Sequence, residues 1–490
     1  MLRSLMGILV LSAAGSAATW LSAVRPAAAS LAGEVQRWDA ALAAAEPASR
    51  VEAACELARL GPIAAAATAD LARLLPDEAE VATPACGRVV IWDDGDLRVV
   101  GTTTPGREAA EALASIGGAA LDPLIAALAS GAAPARRHAA WALGDVQEPR
   151  VAKALRAALV DADARVRGVA VRSLAQHGDA AVLPAVLPLL QDADPGVRRA
   201  AARSVGSYED PAAGLPLLAA LRDGDSQVRE AAAESLGEVG DPGSVAALAK
   251  AAQDADWRVR LAAVEALASL GDPRGFAAVR AAAGDEHREV RAAAVSAMGE
   301  MGSGEAVPTL VKALQDPDWN IREAAASALG QLQDARGFDA LLGTLADPDA
   351  RVREAVVSAL GEQQNLRAVE PLIQALGDTA WGVRAESAGA LASLEDPRAV
   401  APLGRLLADP HWKVREAAAE ALGELEDPAA AEPLSRLLKD PHWAVRRAAV
   451  SGIASAGLPT ARRELKDALG DPHPRVREAA AEALASLDED

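Results

Sequence analysis

"DPHWKVREAAAEALGELEDP", residues 409–428, is followed 31 residues after its start by "DPHWAVRRAAVSGIASAGLP", residues 440–459. An Asp, a Trp and an Arg keep their places while most other letters drift. A fixed period of this size is the signature of stacked supersecondary units. Stepping by 31 from Arg415 in both directions reaches Arg136 at one end and Arg477 at the other, and every step lands on Arg. Six residues before each anchor stands an Asp, from Asp161 to Asp471, with Ser130 alone breaking the column.

Each anchor opens a segment such as "VREAAAEALGEL", in which Val414, Ala418, Ala421, Leu422 and Leu425 recur at helical spacing. A Gly or Ala eight residues after the anchor, often with an Asp-Pro further on as at Asp272-Pro273 and Asp396-Pro397, is expected to stop that helix and start the next. The other recurring pattern, "AVEPLIQALGD" at 368–378, reads as a further helix with Pro371 near its start. Two short helices cannot bury their apolar faces alone, so neighbouring units must stack. The expected fold is all-α: an α-solenoid, or superhelix, of about a dozen 31-residue helical pairs.

Composition agrees. Aromatics make up 2% of the 490 residues and charged residues 24%. Small residues pack helices closely but fill little volume, which suits a thin core repeated many times better than one large core. The formal charge of −20 argues against a general binder of nucleic-acid backbones, which needs a compensating cationic surface.

The pattern D-x-D-x-x-V-R-x-x-A-x-x-A-L-G resembles the short HEAT-like repeats grouped with the phycobilisome lyase proteins, over about residues 106–490. The resemblance implies that the Asp and Arg columns form a ladder between adjacent units. Elementary chemistry agrees, because the planar guanidinium fork can bridge a carboxylate and a carbonyl and so fix register.

Before residue 106 the period falters. "GREAAEALASIG" at 106–117 is one more helix of the anchored type, offset by 30, and residues 50–75 read as a capping helical pair. Between them "CGRVVIWDDGDLRVVGT" reads as two strands around Asp94-Gly95, a hairpin serving as a lid over the first repeat. Residues 1–29, an apolar stretch after Arg3 ending in Ala27-Ala28-Ala29, read as a signal peptide, with an uncleaved anchor helix as the other reading. The organisation expected is therefore signal 1–29, cap with hairpin insert 30–105, and repeats 106–490, in an exported periplasmic or extracellular protein without stable membrane insertion once cleaved. Cys55 and Cys86, the only two cysteines, read as one disulfide in such a compartment.

Three sets of residues stand out from the scaffold columns. Trp257, Trp319, Trp381, Trp412 and Trp443 each stand three residues before an anchor, and Trp141 is expected on the same surface. They form either a docking strip for a partner or packing over the loop of the preceding repeat. His287, His411, His442 and His473 stand four before an anchor, where most repeats carry the better N-cap Asp; they read as turn residues or as a pH-sensitive or anion-binding row. Residues 135–203 carry ten Arg and one Lys against seven acids, a local +4. Arg137, Arg172, Arg199 and Arg203 lie there in variable columns, as a patch for an acidic segment or as a solvated surface balancing the acidic remainder.

No H-E-x-x-H, G-x-S-x-G or Walker loop is present, no Cys lies beside a His, and no metal or cofactor site is expected. The repeat family also includes deoxyhypusine hydroxylase, whose di-iron site has no counterpart here because the chain lacks any His-Glu dipeptide. Similar repeat proteins of the alkyl-purine DNA glycosylase type use a basic face, which this charge does not supply. The expectation is a non-catalytic scaffold or adaptor gripping a protein or extended peptide on the concave side lined by its second helices, with a bilin lyase-like or other small-ligand protein as the alternative.

Overall fold

From helix Ala164–Gln176 onward, an Asp sets the turn before the long helix of each repeat. In the computed structural model of the chain, Asp409 Oδ1 accepts the N–H of His411 at 2.8 Å, turning the backbone into the helix Trp412–Glu424. Arg415, at the fourth position of that helix, sends Nη1 back to the Asp409 carbonyl at 2.8 Å. Its Nε and Nη2 reach forward to both oxygens of Asp440 in the next repeat, at 2.7 and 2.9 Å. The Asp thus turns its own loop and receives the preceding repeat's Arg. The same fork recurs at Arg167–Asp192, Arg260–Asp285 and Arg353–Asp378. The expected ladder is present, and it is nearly dry: the Arg415 and Asp440 side chains are 12% and 6% exposed.

The structure describes residues 31–82, 91–93, 96–98, 102–455 and 462–489. The described helices come in pairs. A 3-10 turn such as Pro397–Ala399 leads into a short helix, Val400–Leu406, followed by the long helix of the same repeat. Val414, Ala418, Ala421 and Leu422 are buried on the long helix and Leu403 on the short one. Leu425 falls at the helix C-terminus, half-buried. The fold is an all-α solenoid, and its core is thin: Phe338 is the largest fully buried side chain among the described residues.

The glycine eight residues past the anchor does not end the helix. Gly330, Gly361 and Gly423 all lie inside long helices. A Cβ on Gly423 would stand 2.6 Å from Gly452 Cα, so these glycines let the backbones of consecutive long helices approach. Helices end instead three residues later, at a left-handed residue: Gly271 and Gly302, but also Gln333, Gln364, Glu395 and Glu426 with φ between 48 and 51°. The next residue caps the following 3-10 turn, as when Asp396 accepts the Arg398 N–H at 2.9 Å.

The chain divides into two compact units, Met1–Asp241 and Pro242–Asp490. In the first, helices Pro47–Leu60 and Thr68–Leu74, with the 3-10 segment Gly61–Ala67 between them, lie where the sequence leads one to expect a helical pair. Its first helix is itself of the anchored kind: Arg50 donates to Asp77 at 2.8 Å and to the carbonyls of Ala44 and Ala45. The cap is a degenerate repeat whose Arg–Asp spacing of 27 instead of 25 takes it out of the sequence period. Helix Pro105–Ile116, capped by Thr104, packs between Pro47–Leu60 and Ala133–Ala142 as the next anchored-type helix. Strands Ile91–Asp93 and Asp96–Arg98 pair antiparallel, and Val81–Ala82 pairs with Thr102–Thr103. Residues 1–30 and Cys86 lie outside the described residues, and with them the cleavage site and the second partner of the expected disulfide. Cys55 is buried on helix Pro47–Leu60.

Candidate functional site

The five Trp residues at the long-helix N-termini all belong to the second unit, and each begins its helix or stands at its first position. One face of each indole is covered by a flat group from the following repeat. Trp257 stacks on His287 with ring centroids 4.9 Å apart, Trp381 on His411 at 4.3 Å, Trp412 on His442 at 3.8 Å and Trp443 on His473 at 4.2 Å. Trp319 takes the guanidinium of Arg351 instead, Cζ lying 3.2 Å from the ring centroid. That guanidinium is clamped by Asp349, Nε to Oδ1 at 3.0 Å and Nη2 to Oδ2 at 2.8 Å.

The Trp and His columns are therefore one structure. Every His in the N-cap column follows a Trp by 30 residues, His287 after Trp257 and His411 after Trp381. The loop that each indole covers belongs to the following repeat, not the preceding one. The imidazoles give up most of the capping task in exchange: neither His287 nor His411 makes a side-chain cap. Only His442 Nδ1 accepts a helix N–H, from Ala444 at 3.3 Å. Aromatic pairs of this kind add about 0.5–1.5 kcal/mol beyond area burial.

From Trp381 to His473 the rings form a continuous alternation. His411 also stacks on Trp412 of its own repeat at 6.3 Å, and His442 on Trp443 at 6.0 Å, so Trp412 and Trp443 carry imidazoles on two sides. Trp381 does not, because Ala380 stands where His411 and His442 stand. It is 43% exposed, and it is the only tryptophan among the large exposed hydrophobic residues described.

Trp141 is half-buried within helix Ala133–Ala142 of the first unit, away from any helix start. The arginines of the basic stretch are largely occupied. Arg137 pairs with Glu78 at 2.6 Å and donates to His138 Nε2 at 3.2 Å, while His138 Nδ1 donates to the Leu75 carbonyl at 2.8 Å. Burial, with Arg137 and Arg107 adding to it, depresses His138, so it is the neutral ring that staples the first repeat to the cap. Arg199 is 5% exposed and donates to Gln227 at 2.6 Å. Arg203 faces Glu234 at 3.6 Å, and Arg172 is half-buried. Among the described residues no group of His, Cys, Asp and Glu is arranged to hold a metal.

A family model for HEAT repeats matches in seven overlapping segments that run without a break from 106 to 490. The chain belongs to the HEAT-repeat family. The match is to HEAT repeats as a class. Among solved structures, this HEAT solenoid is similar to importin beta crystallised in ammonium sulfate, with a TM-score of 0.63, 13% identity, and coverage of 96% of this chain and 76% of that one. It is also similar to a chain from a Kap95:Nup1 complex, with a TM-score of 0.56, 15% identity, and coverage of 94% and 77%. A third likeness is to a structure of Kap95p with RanGDP, with a TM-score of 0.52, 15% identity, and coverage of 94% and 66%. At these identities the likeness shows the fold. No curated protein matches the chain.

Proposed function

We propose that this HEAT-repeat protein is an exported, non-catalytic scaffold that docks a protein or extended peptide on the face built by its long second helices. The observation that carries the reading is the row of tryptophans at the starts of those helices, three of which, Trp381, Trp412 and Trp443, stand in successive repeats, with Trp381 exposed. Indoles in such positions offer large contact area at low entropic cost. The scaffold columns, by contrast, are spent on inter-repeat contacts, since the Arg and Asp of each rung satisfy each other. Two similar solved structures are complexes by title, of Kap95p with RanGDP and with Nup1, which supports a protein partner as the class of ligand. Export rests on the apolar N-terminal stretch ending near Ala29.

The test is affinity capture from envelope extract with the full chain, followed by titration of the captured protein against wild type and the triple variant Trp381→Ala, Trp412→Ala, Trp443→Ala. Loss of about 2 kcal/mol or more in the folded fraction is the expected result, the usual level for anchor residues. Unchanged affinity would remove the tryptophan face from the account. A bilin lyase-like or other small-ligand protein would instead carry ligand absorbance through purification.

A further inference from the structure

In the unbroken run of rings from Trp381 to His473, the place before Trp381 is unfilled. Trp412 and Trp443 have an imidazole from their own repeat as well as one from the next. At Trp381 the following repeat supplies His411 at 4.3 Å and Lys413 Nζ at 5.0 Å, while its own repeat offers only the methyl group of Ala380. The preceding repeat brings up a carboxylate there. Glu354 lies directly against Gly382, the neighbour of Trp381, in space that any side chain at 382 would occupy. Glu354 makes no ion pair among the described residues. Burial, then the carboxylates of Glu386 and Glu323, push it above the usual carboxylate range, against the pull of Arg353.

The same molecule shows, on the side of an indole that faces the following repeat, how a guanidinium and a carboxylate complete an indole face. At Trp319 an indole face, the carboxylate of Asp349 and the guanidinium of Arg351 form a closed set, the guanidinium flat on the ring and hydrogen-bonded to the carboxylate. Trp381 and Glu354 present two of these three parts. We infer that the open face of Trp381, with Glu354 beside it, receives an arginine side chain from an extended basic segment of the protein partner. The inference rests on the docking reading above and names the chemistry of what docks. Arginine fits better than lysine because its planar, weakly hydrated guanidinium can stack and form a two-pronged bond at once.

The experiment uses the full chain and a blocked Gly-Arg-Gly-Arg-Gly peptide, with Gly-Lys-Gly-Lys-Gly as its counterpart, titrated by calorimetry at low salt. Three variants are compared with wild type: Trp381→Ala, Glu354→Gln and Ala380→His. The last puts an imidazole where His411 and His442 already stand in their repeats, at a backbone of nearly the same geometry, φ −83° and ψ 127° against −92° and 123° at His411. It fills the place without removing any contact. The arginine peptide should bind wild type more tightly than the lysine peptide, and each variant should weaken it about tenfold, the scale of a desolvated cation–π contact with its ion pair. Ala380→His should keep or raise the melting temperature while doing so. Equal binding of the arginine peptide by wild type and Ala380→His, equal binding of the two peptides, or no binding by wild type would overturn the inference. The captured partner separates the two readings. A partner held equally by wild type and Ala380→His leaves the scaffold standing and removes the arginine place. Arginine binding that Ala380→His abolishes, in a chain that captures no protein, does the reverse.

Discussion

Trp412 and His442 lie face to face across a repeat boundary, their ring centroids 3.8 Å apart and their planes 19° from parallel. The contact joins the first residue of one long helix to the N-cap of the next. It holds the same boundary that Arg415 and Asp440 hold, so the two ladders run side by side.

If that stack carries packing energy, Trp412→Ala and His442→Ala should each lower the melting temperature, and their effects should not add. A double-mutant cycle should return a coupling of about 0.5–1.5 kcal/mol. A coupling near zero would mean that the rings are only adjacent.

Removing one member of a nearly dry rung should be severe. Asp440→Ala leaves Arg415, 12% exposed, without its carboxylate and should cost about 3–5 kcal/mol. Glu432→Gln, which breaks the Arg436–Glu432 pair with side chains 75% and 82% exposed, should change stability by less than ~0.5 kcal/mol. Denaturant unfolding of the two variants measures the contrast.

The rung and the face of the long helices titrate in opposite senses. Hydrogen bonds from Arg136, Arg353 and Arg446 hold Asp161, Asp378 and Asp471 below the usual carboxylate range, against burial. A lowered folded value stabilises above the unfolded pKa of about 3.9, and that stability is lost as pH falls through the folded values. Burial raises Glu354, Glu362 and Glu420, with like-charged neighbours adding to it. A raised carboxylate contributes stability below its unfolded pKa and loses it as pH rises through the folded value. Melting temperature should therefore rise modestly as pH falls from neutral toward the ordinary carboxylate range, then fall steeply below about 4. Glu354→Gln should flatten the first limb and Asp378→Asn the second.

Two glycines inside long helices should respond oppositely to alanine. At Gly389 a Cβ would meet nothing within 4 Å, so Gly389→Ala should stabilise by about 0.5–1 kcal/mol through helix propensity. At Gly423 it would strike Gly452 Cα at 2.6 Å, and Gly423→Ala should destabilise by about 1–3 kcal/mol. Thermal melts of both decide whether the glycine column serves close approach.

The scaffold was legible because its columns are periodic: Asp409 and Arg415 recur wherever a rung is built, and the rung needs both. Arg50 was hidden because its Asp lies 27 residues on, a spacing that no step of 31 reveals. Gly423 looked like a helix stop because a sequence shows that a residue lacks Cβ but not which backbone comes close. The Trp–His pairing was written in the chain, as His411 after Trp381 and His442 after Trp412. It escaped a comparison of like positions because the partners differ in position by one and in repeat by one. The open place at Trp381 was not legible at all, since it depends on Ala380 standing beside a ring and Glu354 folding against Gly382.

The most direct test of the account measures melting temperature and affinity for the captured partner on Trp381→Ala and Trp412→Ala. Trp412, stacked on two sides, should lose mainly stability; Trp381, open on one, should lose mainly affinity, by about tenfold or more. If affinity and stability fall together in both variants, or if Trp412→Ala is the one that loses the partner, the tryptophan column is packing throughout and the docking account is wrong.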